Sequence, residues 1–73
     1  MKNVAILGLG NIAKRVAKGV LCSPKACFYA VASRNLDKAM QFAKEYGAIT
    51  YYGNYLEMLN DSNVDLVYIC TPN

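Results

Sequence analysis

Two glycines, one residue apart and directly after an apolar run, are the residues in this sequence whose types and spacing most clearly suit chemistry. Val4-Ala5-Ile6-Leu7 leads into Gly8-Leu9-Gly10-Asn11-Ile12-Ala13, which fits the pattern G-x-G-x-x-G/A with alanine in the last small position. Gly8 permits a tight turn out of the apolar segment. Gly10 has no Cβ, so backbone there can approach a ligand closely, and Ala13 is small enough for a following helix to lie against the strand. The chemistry on offer is phosphate binding without a charged side chain. The first N–H groups of a helix have no intrahelical acceptor, and the helix dipole adds partial positive charge at the same end. Between a strand and a helix the pattern points to the diphosphate of a dinucleotide. The competing reading is a tight turn that holds no ligand.

A second group follows the next apolar run. In NAD-binding folds an acidic residue about 20 positions beyond the glycines accepts a hydrogen bond from the ribose 2′-hydroxyl. Here that place holds Ser33, with Arg34 next to it and Lys38 one helical turn on. A carboxylate would repel a 2′-phosphate, whereas a hydroxyl, a guanidinium and an ammonium attract one. The one nearby acid, Asp37, falls on a helix surface. The residues favour NADP, with NAD as second choice; the plainer alternative makes Arg34 and Lys38 ordinary solvated charges. At the end of the chain, Thr71-Pro72-Asn73 follows an apolar run, and the Thr71 hydroxyl with its backbone could line the ribose and nicotinamide side. Pro72 fixes φ in that turn. A simple strand-ending turn explains the same tripeptide equally well. Cys70 reads as a small buried hydrophobe rather than a nucleophile. Tyr51, Tyr52 and Tyr55 read as packing or edge residues rather than a stacking platform for bases.

The elements that must position these residues alternate. Val4 to Leu7 is a strand buried on both faces. Ile12, Val16 and Val20 recur at helical spacing with Ala13 and Ala17 beside them, while Lys14, Arg15 and Lys18 take the opposite face. Ser23-Pro24 marks a loop, and Phe28 to Ala32 is a second strand. Asn35 can cap a helix in which Leu36, Ala39, Met40, Ala43 and Tyr46 recur at helical spacing and which stops at Gly47. Ala48 to Tyr52 is a less apolar strand and so lies nearer an edge. Asn54, with Glu57 three residues on, starts a short helix expected to bury Leu56 and Leu59. Leu66 to Cys70 is the fourth strand. This order predicts an α/β, Rossmann-like, doubly wound parallel sheet of strand order 3-2-1-4, with the switch point between the first and fourth strands.

Composition narrows the classes. The chain has 73 residues, 55% hydrophobic and 18% charged, with a net charge of +3, which suits one small globular domain. Cations are scattered over helix faces rather than massed in a stripe, so no nucleic-acid partner is expected. Cys22, Cys27 and Cys70 are odd in number and no histidine accompanies them; reduced thiols are expected and no metal site. Lys2 ahead of apolar residues superficially resembles a secretion signal, but Asn11, Lys14 and Arg15 interrupt the run and no stretch is long enough to cross a bilayer. The sequence suggests a soluble, cytoplasmic protein with no membrane partner.

Taken together, VAILGLGNIA (Val4 to Ala13), AVASR (Ala30 to Arg34), KAMQFAKEYG (Lys38 to Gly47), YLEML (Tyr55 to Leu59) and VDLVYICTPN (Val64 to Asn73) resemble the beginning of a Gfo/Idh/MocA oxidoreductase, in that family's order and over nearly the whole chain. The resemblance implies a nicotinamide-dependent oxidoreductase acting on a sugar, polyol or related hydroxy compound. It assigns Gly8, Gly10, Asn11 and Ile12 to the pyrophosphate, Ser33, Arg34 and Lys38 to the adenosine ribose and its phosphate, and Thr71, Pro72 and Asn73 to the rest of the cofactor. It also implies a continuation with a Glu-Lys-Pro segment carrying a catalytic lysine, then a second α/β domain forming the substrate pocket. Neither is present, so the chain reads as a partial cofactor domain, truncated after its fourth strand, with no catalytic residue of its own and inactive alone. A small-molecule substrate is expected only for the longer parent.

A sheet ending at its fourth strand would leave that edge unpaired and its side chains bare, with one short helix on the second face. Self-association is the expected consequence, as a homodimer or higher oligomer through the exposed edge or face. The alternative function is a non-catalytic module that senses a dinucleotide or simply self-associates.

Overall fold

A computed structural model describes residues 2–71. Seven elements alternate: β1 (Lys2–Leu7), α1 (Ala13–Leu21), β2 (Ala26–Ala32), α2 (Leu36–Tyr46), β3 (Thr50–Tyr52), α3 (Tyr55–Leu59) and β4 (Leu66–Ile69). All strand pairs are parallel and the sheet order is β3-β2-β1-β4. The doubly wound arrangement expected from the alternation is present, with β1 central and β3 and β4 at the two edges.

Local sequence sets several boundaries. Asn35 caps α2 by accepting the Lys38 N–H at 3.2 Å, and Gly47 ends it at φ +83°, a left-handed conformation that costs glycine little. Asn54 caps α3 through the Leu56 N–H at 2.7 Å. The helix α1 differs. Its N-cap is Ile12, no side chain caps it, and its first turn holds no acid.

The two faces of the sheet are covered unequally. On one, α1 and α2 pack Ala13, Ala17, Val20, Phe42 and Ala43 against Val4, Ile6, Phe28 and Val31. Alanines at the α1 contact bring helix and sheet close together, and Phe42 meets Phe28 edge-on at 6.3 Å between ring centroids. On the other face α3 contributes Met58, fully buried against Ala5, Leu7, Ala30 and Ala32. An irregularity in the β1–β2 register places Phe28 opposite Val4 and Ala30 opposite Ala5. Tyr29 is thus the extra residue, and it joins Ala30 on the α3 side.

Four apolar residues depart from expectation; one, Leu36, is exposed at the first turn of α2. Ile12 is 55% exposed, because the backbone reaches α1 only at Ala13 and the buried stripe begins there. Leu56 and Leu59 are 68% and 51% exposed. The short helix presents Tyr55 and Met58, three positions apart, to the sheet instead, and an unbranched methionine suits the shallow alanine-lined surface. β3 is also shorter than expected, starting at Thr50.

The loop after α3 is tied back to the sheet. Tyr52 and Tyr29 both donate their phenol protons to Asp61 Oδ2, at 2.6 and 2.9 Å, and the Asn63 N–H donates to Asp61 Oδ1 at 2.9 Å. The bond to Asp61, together with burial and the carboxylate charge, pushes the Tyr52 phenol from its usual 10.0 up to about 12. The Tyr52 bond, the Asn63 N–H and Tyr29 hold the Asp61 carboxyl below its usual range. Since the folded Tyr52 pKa is raised, its contribution to stability is complete below pH 10 and is lost as pH rises toward 12. The depressed Asp61 pKa gives the opposite sense: stability present at neutral pH and lost in acid. Unfolding followed in urea from neutral pH to pH 12 should show an alkaline fall that Tyr52→Phe abolishes. An identical fall in both proteins would show that this bond does not contribute.

Candidate functional site

The β1–α1 turn is fixed by its own backbone. Gly8 sits at φ +92°, and a Cβ there would lie 2.7 Å from Thr71 Cγ2 and 2.9 Å from Thr71 Cα and N. Only glycine avoids both the strained conformation and the collision. The Gly8 N–H donates to the Ala32 carbonyl and the Gly10 N–H to the Cys70 carbonyl, each at 2.8 Å. The turn is therefore pinned to the ends of β2 and β4. The Ala13 N–H donates to the Gly10 carbonyl at 3.0 Å.

What remains is the chemically useful part. Among the described residues, the N–H groups of Leu9, Asn11 and Ile12 have no acceptor. Asn11 and Ile12 are exposed and Leu9 is half-buried. These amides, at an uncapped helix start, suit an anion. The Gly10 amide, by contrast, is already spent on the Cys70 carbonyl.

The β2–α2 turn supplies the second cluster. Ser33 is buried, its N–H donates to the Tyr52 carbonyl at 3.1 Å, and its Oγ accepts the Asn35 N–H at 3.2 Å. Its hydroxyl proton has no acceptor among the described residues. Arg34 and Lys38 are exposed beside it. A cavity of about 350 Å³ is lined by Leu9, Ser33, Arg34, Asn35, Lys38 and Tyr55. Lys38 and Leu9 also line a neighbouring groove of about 510 Å³, with Gly10, Asn11, Lys14 and Gln41 among its walls. The fold thus brings Ser33 and the two cations Arg34 and Lys38 alongside the glycine turn. Asp37 lies exposed in the first turn of α2.

Residues 2–73 match the family profile described as the oxidoreductase family with an NAD-binding Rossmann fold, Gfo/Idh/MocA. The chain belongs to the Gfo/Idh/MocA oxidoreductases. It is similar to an uncharacterized oxidoreductase of Rhizobium meliloti, 38% identical over 69 residues, covering 93% of this chain and 21% of the relative. It is also similar to the NADP(+)-dependent D-xylose 1-dehydrogenase of Hypocrea jecorina, 36% identical over 80 residues, covering 92% of this chain and 20% of the relative. Among solved structures, a 3-ketoreductase from Actinomadura kijaniata in complex with NADP superimposes with a TM-score of 0.90 at 29% identity, over 97% of this chain and 23% of that one. The chain spans about a fifth of the length of these relatives.

Within this Gfo/Idh/MocA chain, Thr71 lies close against Gly8, just beyond the end of β4. Pro72 and Asn73 lie outside the described residues. Cys70 is buried, and burial pushes its thiol up, so it stays protonated at neutral pH. That suits a core residue. Cys22 is exposed and Cys27 half-buried, both free. No group of three metal-ligating side chains occurs among the described residues, and no described helix is long and apolar enough to cross a membrane. Sequence reasoning did not connect Leu9 or Tyr55 with the Ser33 cavity. No local signal could have done so, because Tyr55 reaches it from another crossover.

Proposed function

We propose that this chain is the cofactor-binding part of an NADP-dependent oxidoreductase acting on a sugar, polyol or related hydroxy compound. The observation that carries the reading is the pairing of three unspent amides at an uncapped helix start with a cavity lined by Ser33, Arg34 and Lys38. The donor set fits a phosphorylated adenosine. The amides of Leu9, Asn11 and Ile12 suit the diphosphate, with Gly10 leaving backbone room for it. The Ser33 hydroxyl, the Arg34 guanidinium and the Lys38 ammonium suit a 2′-phosphate, which a carboxylate in their place would repel. The turn that begins at Thr71 and continues with Pro72 and Asn73 would carry the remaining length.

When bound, the nicotinamide group supplies hydride transfer to or from an oxygen-bearing carbon. The residues of this chain hold and orient that cofactor, and none is assigned to catalysis. The substrate class is supported by the D-xylose dehydrogenase and ketoreductase relatives. A substrate pocket and catalytic groups are proposed for the rest of a longer parent, of which this chain would be an N-terminal piece. Free thiols at all three cysteines favour a reducing cytoplasm.

Titration of the chain with NADP and with NAD should give the tighter dissociation constant for NADP. Arg34→Ala should weaken NADP by about 10- to 100-fold, the loss of a charge-assisted contact, and NAD by far less. Tighter NAD binding, or equal losses for both cofactors, would overturn the NADP assignment.

The chain by itself is also proposed to self-associate. In β4, Leu66, Tyr68 and Ile69 are exposed, Ile69 at 73%, and the strand forms a sheet edge. Sedimentation of the chain should detect a dimer or larger species at micromolar concentration. A monomer throughout that range would contradict it.

A further inference from the structure

Asp61 lies in the loop after α3 and lines neither cavity of the candidate site. It nevertheless begins a run of hydrogen bonds that ends there. The Asp61 carboxylate accepts the Tyr52 phenol proton at 2.6 Å, and the Tyr52 carbonyl accepts the Ser33 N–H at 3.1 Å. Ser33 Oγ then accepts the Asn35 N–H, and Asn35 Oδ1 accepts the Lys38 N–H, each at 3.2 Å. We infer that Asp61 is a positioning residue for 2′-phosphate discrimination, acting through Tyr52 to hold the Ser33–Lys38 segment in place. The inference rests on the cofactor reading above and adds to it a residue outside the cofactor's cavity.

The weak point in that run is β3. It has three residues, pairs only with β2, and ends at Tyr52, whose carbonyl carries Ser33. The ends of so short an edge strand open easily. The phenol bond ties this end down, and a charged acceptor makes it stronger than a neutral one would. Asp61 is itself anchored. Its Oδ1 accepts the Asn63 N–H and its Oδ2 accepts the Tyr29 phenol proton, each at 2.9 Å, so β2 and β3 share one carboxylate. The same loop is fastened to β1, where Asn3 Nδ2 donates to the Asn63 carbonyl and the Asp65 N–H donates to the Asn3 carbonyl. The end of β3 is thus held against the central strands. The glycine turn is pinned separately, by the Ala32 and Cys70 carbonyls. Loosening Tyr52 should therefore disturb the contacts of Ser33, Arg34 and Lys38 with a 2′-phosphate and spare the amides of Leu9, Asn11 and Ile12.

The test measures dissociation constants for NADP and NAD at neutral pH in the full chain, in Tyr52→Phe, in Asp61→Asn and in the double variant. Each single variant should lower the ratio of NADP to NAD affinity about 3- to 10-fold, the worth of one hydrogen bond. The double variant should lose no more than the larger single loss, because both changes break one connection. In isotope-labelled protein the Ser33 amide should exchange faster with solvent in all three variants, while those of Gly8 and Gly10 keep their rates. Both substitutions preserve side-chain shape, and either alone decides the ratio if the other does not fold. An unchanged ratio, losses that add in the double variant, or equal losses for both cofactors with all amides exchanging faster would overturn the positioning role alone. An unmutated chain with no preference for NADP would overturn the cofactor reading, and this role with it.

Discussion

Everything at the candidate site depends on how closely the first turn can approach the end of the fourth strand. At Gly8 the chain leaves β1 with a positive φ, and the Thr71 backbone lies where any side chain would have to go. That contact lets Gly10 reach the Cys70 carbonyl while Gly8 reaches the Ala32 carbonyl. Three strand ends are joined by these two bonds, and two of the turn's amides are consumed in making the joint. The others are left over by geometry. A turn pinned in this way with spare donors suits an anion, since little ordering cost would remain for binding.

The rest of the molecule holds that joint in place with unequal means. One face of the sheet has two helices and the aromatic contact of Phe28 with Phe42. The opposite face relies on a five-residue helix, one methionine, and the Tyr29–Tyr52–Asp61 bonds. Those bonds also fix β3, a three-residue edge strand with little ladder of its own. Because the Tyr52 carbonyl anchors Ser33, the same network steadies the second half of the site. Among the described residues no such cover lies over β4, and both faces of that strand carry exposed apolar side chains.

Features written in a few adjacent residues could be read without a structure. The asparagine caps at Asn35 and Asn54, the glycine stop at Gly47 and the alternation of strands with helices are of this kind, and all are present. The cationic character of the Ser33 turn was legible for the same reason. What was not legible depends on residues distant in sequence. An all-apolar strand carries no period-two signal, so the irregularity at Tyr29 and Ala30 left no mark. The orientation of α3 follows from the alanine-lined surface it meets, which is why Met58 rather than Leu56 is buried. Likewise the loss of the Gly10 amide to Cys70 involves a partner sixty positions away.

The spare amides are the most directly testable of these features. In an isotope-labelled sample of the chain titrated with NADP, the amide resonances of Leu9, Asn11 and Ile12 should show the largest shifts. Those of Gly8 and Gly10, already bonded within the protein, should keep their slow hydrogen exchange throughout. Binding that left the first three resonances unmoved would mean that the cofactor's diphosphate is held elsewhere.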